Sequence, residues 1–224
     1  MIGGMSWEST AVYYREANEL VRERLGGLNS AEIVLTSLNF SEIGELQSAG
    51  RWEEAGEILA GTARRLQDAG AELVLICTNT MHLLIDQVQA AVEVPVLHIG
   101  DVAAEAVLAR GLRRVGLLGT AFTMEKAFYR DRIAGHGIEV IVPDADDRAL
   151  IHRAIFDELA MGVVSDRTRQ AFRAIIDRLI AEGAEGVILG CTEIELLIAQ
   201  SDSPVPVFPT ARLHVEAAVE FALS

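Results

Sequence analysis

The chain has few of the residues on which several kinds of protein depend. Its 224 residues include two cysteines, Cys77 and Cys191, a single lysine, Lys126, and only 5% aromatics. Two cysteines are too few for a disulfide framework, and no signal-peptide pattern opens the sequence, so the cytoplasm is the expected location. No apolar run reaches the length of a membrane span, because charged residues or turn signals interrupt each one, and no membrane partner is expected.

Positive charge is also scarce. Thirty-three acidic residues face 19 basic ones, which gives a formal net charge of -14 and a pI near 4.7. Such a chain repels phosphate backbones and anionic surfaces, so nucleic acid is not an expected partner. An anionic ligand would need arginine side chains and backbone N–H groups to hold it.

Short apolar segments alternate with helical patterns along the chain. The segments rich in β-branched residues predict buried parallel strands at residues 31–35, 73–76, 115–118, 139–142 and 187–189. Helical spacing of apolar residues follows at residues 52–68, 81–91, 147–159 and 167–181. This alternation predicts an α/β fold.

The sequence contains an internal repeat. Residues 70–80 align without a gap to residues 183–193, and both begin with Gly-Ala-Glu, continue as an apolar strand and end in a polar turn. Cys191 then falls opposite Thr78, whereas Cys77 falls opposite Gly190. A weaker match aligns residues 3–4 with residues 119–120, which predicts two similar halves and a shortened first strand.

The two matched turns contain side chains suited to proton transfer. Cys191 lies between a strand and a helix whose N-terminus favours a thiolate, while the neighbouring Glu193 opposes it; the alternative is a small buried apolar residue. Residues 78–80 offer hydroxyl and amide groups at a helix start, where free N–H groups bind carboxylates; the alternative is simple helix capping. Successive strand residues point to opposite faces, so Thr78 rather than Cys77 is expected to face a ligand.

Other common sites are not indicated. The five histidines lack the spacing of metal ligands, and core or surface positions are expected for them. The glycine-rich segments at residues 3–4 and 115–120 match neither a dinucleotide nor a P-loop pattern. Neither a metal nor a nucleotide cofactor is therefore expected.

Three motifs in order resemble the aspartate/glutamate racemase superfamily: residues 3–10 (GGMSWEST), residues 77–82 (CTNTMH) and residues 190–193 (GCTE). The likeness spans nearly the whole chain and is nearest to bacterial amino-acid racemases with a Thr-Asn-Thr first motif. Most relatives have cysteine in both turns, and in this chain Thr78 occupies the position of the first thiol.

The resemblance implies two similar Rossmann-like domains with parallel sheets, related by a pseudo-twofold axis, with the active site in the cleft between them. The expected domains are residues 1–98 with the C-terminal helix at 210–224, and residues 99–209. The family also implies a homodimer that uses no pyridoxal phosphate, metal or nucleotide.

Family likeness further implies roles for individual residues. Cys191 and Thr78 would act on opposite faces of a substrate α-carbon. The residues expected to line the substrate are Met5, Gln47, Asn79, Thr80, Thr192 and Glu193.

The sequence thus predicts a cofactor-independent racemase of a small amino-acid substrate, with aspartate or glutamate expected. Two alternatives stay open. A decarboxylase or lyase of the same fold would need only the Cys191 thiol, and a ligand-binding protein would need no catalytic group at all.

Overall fold

The computed structural model describes all 224 residues and divides into two compact units. The first comprises residues 1–98 with 214–224, and the second comprises residues 99–213. No helix is both long enough and apolar enough to cross a membrane.

The first unit contains helices arranged around a short parallel sheet. Its strands are β1 (Ile2–Gly3) and β2 (Thr36–Ser37). Its helices are α1 (Trp7–Leu25), α2 (Phe40–Ser48), α3 (Trp52–Asp68), a 3₁₀ helix (Thr80–Leu84), α4 (Ile85–Gln89) and the part of α11 (Thr210–Ala222) that follows Leu213.

Helix α3 shows why these residues form this unit. Ala55, Leu59, Ala63 and Leu66 recur at helical spacing and are at most 1% exposed. This stripe packs into the same apolar cluster as Ile2 and the other core residues of the unit. The helix spans the residues predicted for it, because its apolar period is regular along its whole length.

The sheet of the first unit is held together by few residues. Strand β1 pairs in parallel with β2, and Ile2 forms a bridge with Ile76 on the other side. The prediction of a buried strand over residues 31–35 is wrong, since regular pairing begins only at Thr36. The physical reason is that the neighbouring strand, β1, has only two residues and cannot pair along the whole segment. Val34 and Leu35 therefore stay about 40% exposed.

The second unit contains a four-stranded parallel sheet in the order β4 (Glu139–Ile141), β3 (Arg114–Gly119), β5 (Gly186–Gly190), β6 (Val207–Pro209). Its helices are α5 (Ile99–Ala109), α6 (Ala121–Glu125), α7 (Ala127–Gly135), α8 (Ala145–Asp157), α9 (Asp166–Ala181) and α10 (Thr192–Leu197), with 3₁₀ helices at Leu159–Met161 and Gln200–Asp202.

Both central strands of this sheet are buried on both faces. Leu117, Leu118, Ile188 and Leu189 are fully buried although neighbours along a strand point in opposite directions. Helices must therefore cover both faces, which is the usual arrangement for a parallel sheet. The predicted α/β class with parallel sheets is confirmed.

In each unit, the parallel pairing of two strands places the turns that follow these strands side by side. In the second unit Gly119 pairs with Gly190, so the next residues, Thr120 and Cys191, leave the sheet together. In the first unit Ile2 pairs with Ile76, two residues before Gly4 and Thr78 respectively. Within each unit, the turn of the weaker sequence match therefore lies beside the turn that carries Thr78 or Cys191.

Candidate functional site

Cys191 is positioned by the end of strand β5. Gly190 ends the strand, and Cys191 is the residue that precedes the first turn of α10. Glycine suits this position because a Cβ at position 190 would lie 3.1 Å from the Leu118 carbonyl oxygen and 3.0 Å from Leu117 Cδ1, which is closer than ordinary van der Waals contact. This close packing fixes the backbone from which the thiol projects, and Cys191 is 8% exposed.

Cys191, Thr192 and Glu193 meet through one carboxylate oxygen. The Cys191 thiol donates a hydrogen bond to Glu193 Oε2 at 2.9 Å, and the Thr192 hydroxyl donates to the same oxygen at 2.9 Å. All three residues are less than 9% exposed. The structure therefore brings together the three residues predicted in this turn, and it gives Glu193 a direct contact with the thiol.

Burial and the neighbouring carboxylate decide the protonation of Cys191. Burial raises the pKa of the Cys191 thiol well above its usual range, and the charge and hydrogen bond of Glu193 raise it further. The backbone N–H groups of Glu193 and Ile194 lower the pKa but do not outweigh these effects. The sequence left the balance between the helix start and Glu193 open; in the structure burial and the carboxylate outweigh the helix start, so the thiol keeps its proton at neutral pH.

The Thr78 turn of the first unit is held by its backbone. The Thr78 N–H donates to the Ile76 carbonyl at 2.8 Å, and the Thr78 carbonyl lies 2.8 Å from His82 Nδ1. The Ser9 hydroxyl donates to the Cys77 carbonyl at 2.9 Å. The Thr78 side chain is half-buried, and its hydroxyl makes no hydrogen bond within the protein.

Cys77 differs from Thr78 although it is the adjacent residue. It is fully buried, and burial raises the pKa of its thiol to about 12. Cys77 therefore stays a neutral, enclosed side chain at physiological pH, and of the two residues only Thr78 has an accessible polar group.

The other predicted ligand residues of the first unit are buried near the ends of its strands. Asn79 and Thr80 continue the turn after Thr78 and are 3% and 7% exposed. Met5 belongs to the same apolar cluster as Leu46 and Met81, the neighbours of Gln47 and Thr80 along the chain.

Gln47 lies near the end of α2 and is 9% exposed. Its side-chain amide makes no hydrogen bond within the protein, so the structure links it to no other predicted site residue by a polar contact.

A cluster of buried histidines lies behind the Thr78 turn. The His82 ring centroid is 5.0 Å from that of His98 and 5.6 Å from that of His214, and all three rings are at most 6% exposed. His214 Nε2 lies 3.0 Å from the Leu97 carbonyl, and its Nδ1 lies 2.9 Å from the Tyr13 hydroxyl. The sequence predicts core or surface positions for the histidines, and it gives no sign that three of them meet, because they are far apart in the chain.

Two histidines of this cluster, His82 and His214, are neutral. Burial lowers the pKa of His82 well below its usual range and lowers that of His214 to about 3. A neutral ring has one N–H, and a carbonyl can only accept, so the Leu97 contact assigns the His214 proton to Nε2. The Tyr13 hydroxyl then donates to Nδ1.

Two structural points limit the chemistry of these turns. Cys191 and Glu193 together form a buried thiol with a proton acceptor in contact, whereas Thr78 offers a hydroxyl with no base bonded to it. No group of three or more His, Cys, Asp or Glu side chains is arranged to hold a metal ion.

The fold and these turns define an α/β enzyme with its reactive side chains at the carboxyl ends of parallel strands. Comparison with known proteins shows the family of this chain. The model of the Asp/Glu/Hydantoin racemase family matches residues 2–218, and the chain belongs to this family of isomerases.

Individual relatives agree with this assignment. The chain superposes on an Asp/Glu racemase candidate from Yersinia pestis with a TM-score of 0.94 and 49% identity, covering 100% of this chain and 97% of the other. An aspartate racemase homologue from Pyrococcus horikoshii OT3, PH1733, gives a TM-score of 0.89 and 41% identity, with coverage of 100% and 97%. The broad specificity amino-acid racemase RacX of Bacillus subtilis is 23% identical over 175 residues, which are 77% of this chain and 74% of RacX.

Proposed function

We propose that this enzyme racemises an amino acid, aspartate or glutamate, without a cofactor, and that Cys191 and Thr78 act on opposite faces of the α-carbon. The observation that carries the proposal is the hydrogen bond from the Cys191 thiol to Glu193 Oε2 at 2.9 Å. A thiol with its own buried proton acceptor can be converted to a thiolate when the substrate arrives, which racemisation requires.

The Cys191 side of the reaction follows from this pair. Glu193 takes the thiol proton, and the resulting thiolate removes the α-proton of the substrate, which by analogy with the family is that of the L-enantiomer. The electron pair of the broken C–H bond is delocalised into the substrate carboxyl group. Thr192 keeps Glu193 in place, because its hydroxyl shares the same carboxylate oxygen.

The Thr78 side must return a proton to the opposite face. An aliphatic hydroxyl is a weak acid, so Thr78 orients a water molecule that delivers the proton, and the hydroxide left behind is neutralised through solvent by the proton taken up at Glu193. The unoccupied hydroxyl of Thr78 supports this role, since it can bind water on one side without losing a bond to the protein. The open amide of Gln47 and the polar groups of Asn79 and Thr80 suit a substrate carboxylate.

Family membership and the names of the relatives support aspartate or glutamate as substrate. The family resemblance also supports a cytoplasmic homodimer as the working form. Light scattering coupled to size-exclusion chromatography measures that oligomeric state directly.

One observation favours a second candidate, a decarboxylase that uses Cys191 as its only thiol. Because burial and Glu193 raise the pKa of Cys191, the residue is a proton donor at rest. A proton donor could protonate a carbanion formed by loss of carbon dioxide, and such a reaction would need nothing from Thr78.

Incubation in D₂O separates these functions. The protein is mixed with the L- and D-forms of aspartate, glutamate and other amino acids, and with substituted malonates, and NMR and chiral chromatography follow α-deuteration and inversion. Racemisation requires deuterium uptake together with inversion. Loss of carbon dioxide from a malonate selects the decarboxylase, and no turnover of any compound selects a ligand-binding protein.

The two cysteines provide a matched pair of variants for this assay. Cys191→Ala should abolish turnover, whether exchange with inversion or loss of carbon dioxide, under either enzymatic function. Cys77→Ala should retain it, because Cys77 is enclosed and neutral.

A further inference from the structure

His82 contacts the Thr78 turn although the proposed chemistry does not use it. Its Nδ1 lies 2.8 Å from the Thr78 carbonyl, and its ring is 2% exposed. A carbonyl accepts but cannot donate, so this contact assigns the single ring proton of neutral His82 to Nδ1. The remaining nitrogen, Nε2, is buried and has no hydrogen-bond partner in the structure.

A buried acceptor without a partner costs about 1–3 kcal/mol, and an apolar side chain of similar size would avoid that cost. Packing alone therefore does not explain a histidine at this position. The His82 side chain makes a 2.8 Å hydrogen bond with the Thr78 carbonyl, and the backbone of Leu97 also acts on the ring and raises its pKa.

This contact completes the fixation of the Thr78 backbone. The Thr78 N–H is bonded to the Ile76 carbonyl, and the preceding carbonyl, that of Cys77, accepts from Ser9. With the Thr78 carbonyl held by His82, the peptide groups on both sides of the Thr78 Cα are fixed. The direction of the Cα–Cβ bond, and with it the region that the hydroxyl can reach, is then fixed as well.

The rings behind His82 prevent it from moving away. His98 and His214 lie against it, and His214 is itself fixed between the Leu97 carbonyl and the Tyr13 hydroxyl. The residues that hold the Thr78 backbone and the His82 ring therefore come from four separate segments of the first unit.

We infer that His82 is a positioning residue for the Thr78 side of the reaction: its Nδ1–H holds the Thr78 carbonyl so that the Thr78 hydroxyl stays aligned for proton delivery. This role rests on the proposed racemase function. It predicts that loss of the Nδ1–H donor impairs inversion more than it impairs exchange at the Cys191 side, because the donor acts on one turn only.

The test compares two products formed from one enantiomer in D₂O. Exchange with retention of configuration reports proton removal and return on a single face, and inversion requires both faces. The ratio of inversion to retained exchange is independent of how much of the protein is folded, so a merely structural defect leaves it unchanged.

His82→Leu removes the donor at similar size, and His82→Asn restores a donor at the position of Nδ1. We expect the ratio to fall about tenfold in His82→Leu and to stay within about twofold of wild type in His82→Asn. If His82→Leu does not fold, His82→Gln provides the same comparison, because its amide donor lies one bond further out.

A ratio in His82→Leu within twofold of wild type would overturn the positioning role while leaving racemisation intact. A fall of equal size in His82→Asn would also overturn it, since the donor would then not matter. If wild type itself exchanges no α-proton of any amino acid, the racemase function fails and the role of His82 fails with it.

Discussion

The neutral His214 should make the first unit sensitive to mild acid. Its ring is fully buried, and burial lowers its pKa from the ordinary 6.5 to about 3. Between these values the unfolded chain binds a proton at His214 and the folded chain does not. Acid therefore favours the unfolded state, and the contribution to stability that is complete above pH 6.5 is lost as the pH falls toward 3.

The magnitude follows from the two pKa values. A pH of 5 lies 1.5 units below the pKa of the ring in the unfolded chain, whereas the folded ring is still neutral at this pH. This difference corresponds to a loss of about 2 kcal/mol of unfolding free energy relative to pH 7. His82 is shifted in the same direction and adds to the loss.

Urea titration at pH 7 and pH 5 measures this loss in wild type and in His214→Gln, whose amide can still donate to the Leu97 carbonyl. Both tryptophans, Trp7 and Trp52, belong to the unit that contains His214, so tryptophan fluorescence reports the unfolding of that unit. We expect wild type to lose about 2 kcal/mol more than His214→Gln between the two pH values. Equal losses in wild type and His214→Gln would refute the argument.

Three further predictions concern the turns. Glu193→Gln should lower the rate of α-proton exchange by about 100-fold or more at neutral pH, since the Cys191 thiol loses its proton acceptor. It should also move the alkaline rise of the pH–rate profile to lower pH, because the charge that raises the Cys191 pKa is gone. An unmoved profile would argue against the Cys191–Glu193 pair. Thr78→Cys should raise the ratio of inversion to retained exchange by about tenfold in D₂O, as a thiol is a far better acid than an alcohol, and an unchanged ratio would count against Thr78 as the second face. Gly190→Ala should lower the unfolding free energy measured by urea titration by about 1–3 kcal/mol, because the new methyl group meets Leu118 and Thr123. Gly44→Ala, whose methyl group faces open space in α2, should be neutral or stabilising. Equal effects of the two variants would contradict the packing argument.

Local signals made the α/β class and the two turns predictable. The apolar segment 187–189 and the helix at residues 52–68 match β5 and α3 because burial on both faces and a regular helical period leave clear patterns. The repeat of Gly-Ala-Glu, strand and polar turn singled out Thr78 and Cys191 without any three-dimensional information.

Features that depend on distant contacts could not be predicted. Residues 31–35 have the composition of a buried strand, but strand formation needs a neighbour of matching length, and β1 does not supply one. The protonation of Cys191 depends on how deeply it is buried and on the rotamer that brings Glu193 Oε2 to the thiol. The histidine cluster joins residues 82, 98 and 214, whose spacing in sequence carries no signal of proximity.

The repeat also explains why the two faces of the proposed reaction differ. Aligned through their turns, Cys191 corresponds to Thr78, and Glu193 corresponds to Thr80. The turn of the second unit therefore has a thiol with a carboxylate two residues later, whereas the turn of the first unit has hydroxyls at both positions. Enantiomers have equal free energy, so kcat/KM must be equal in the two directions whatever the side chains are. The chemical asymmetry of the turns can consequently appear only in kcat, in KM and in the isotope effects of the two directions, where deuterium at the α-carbon should slow the two reactions by different factors.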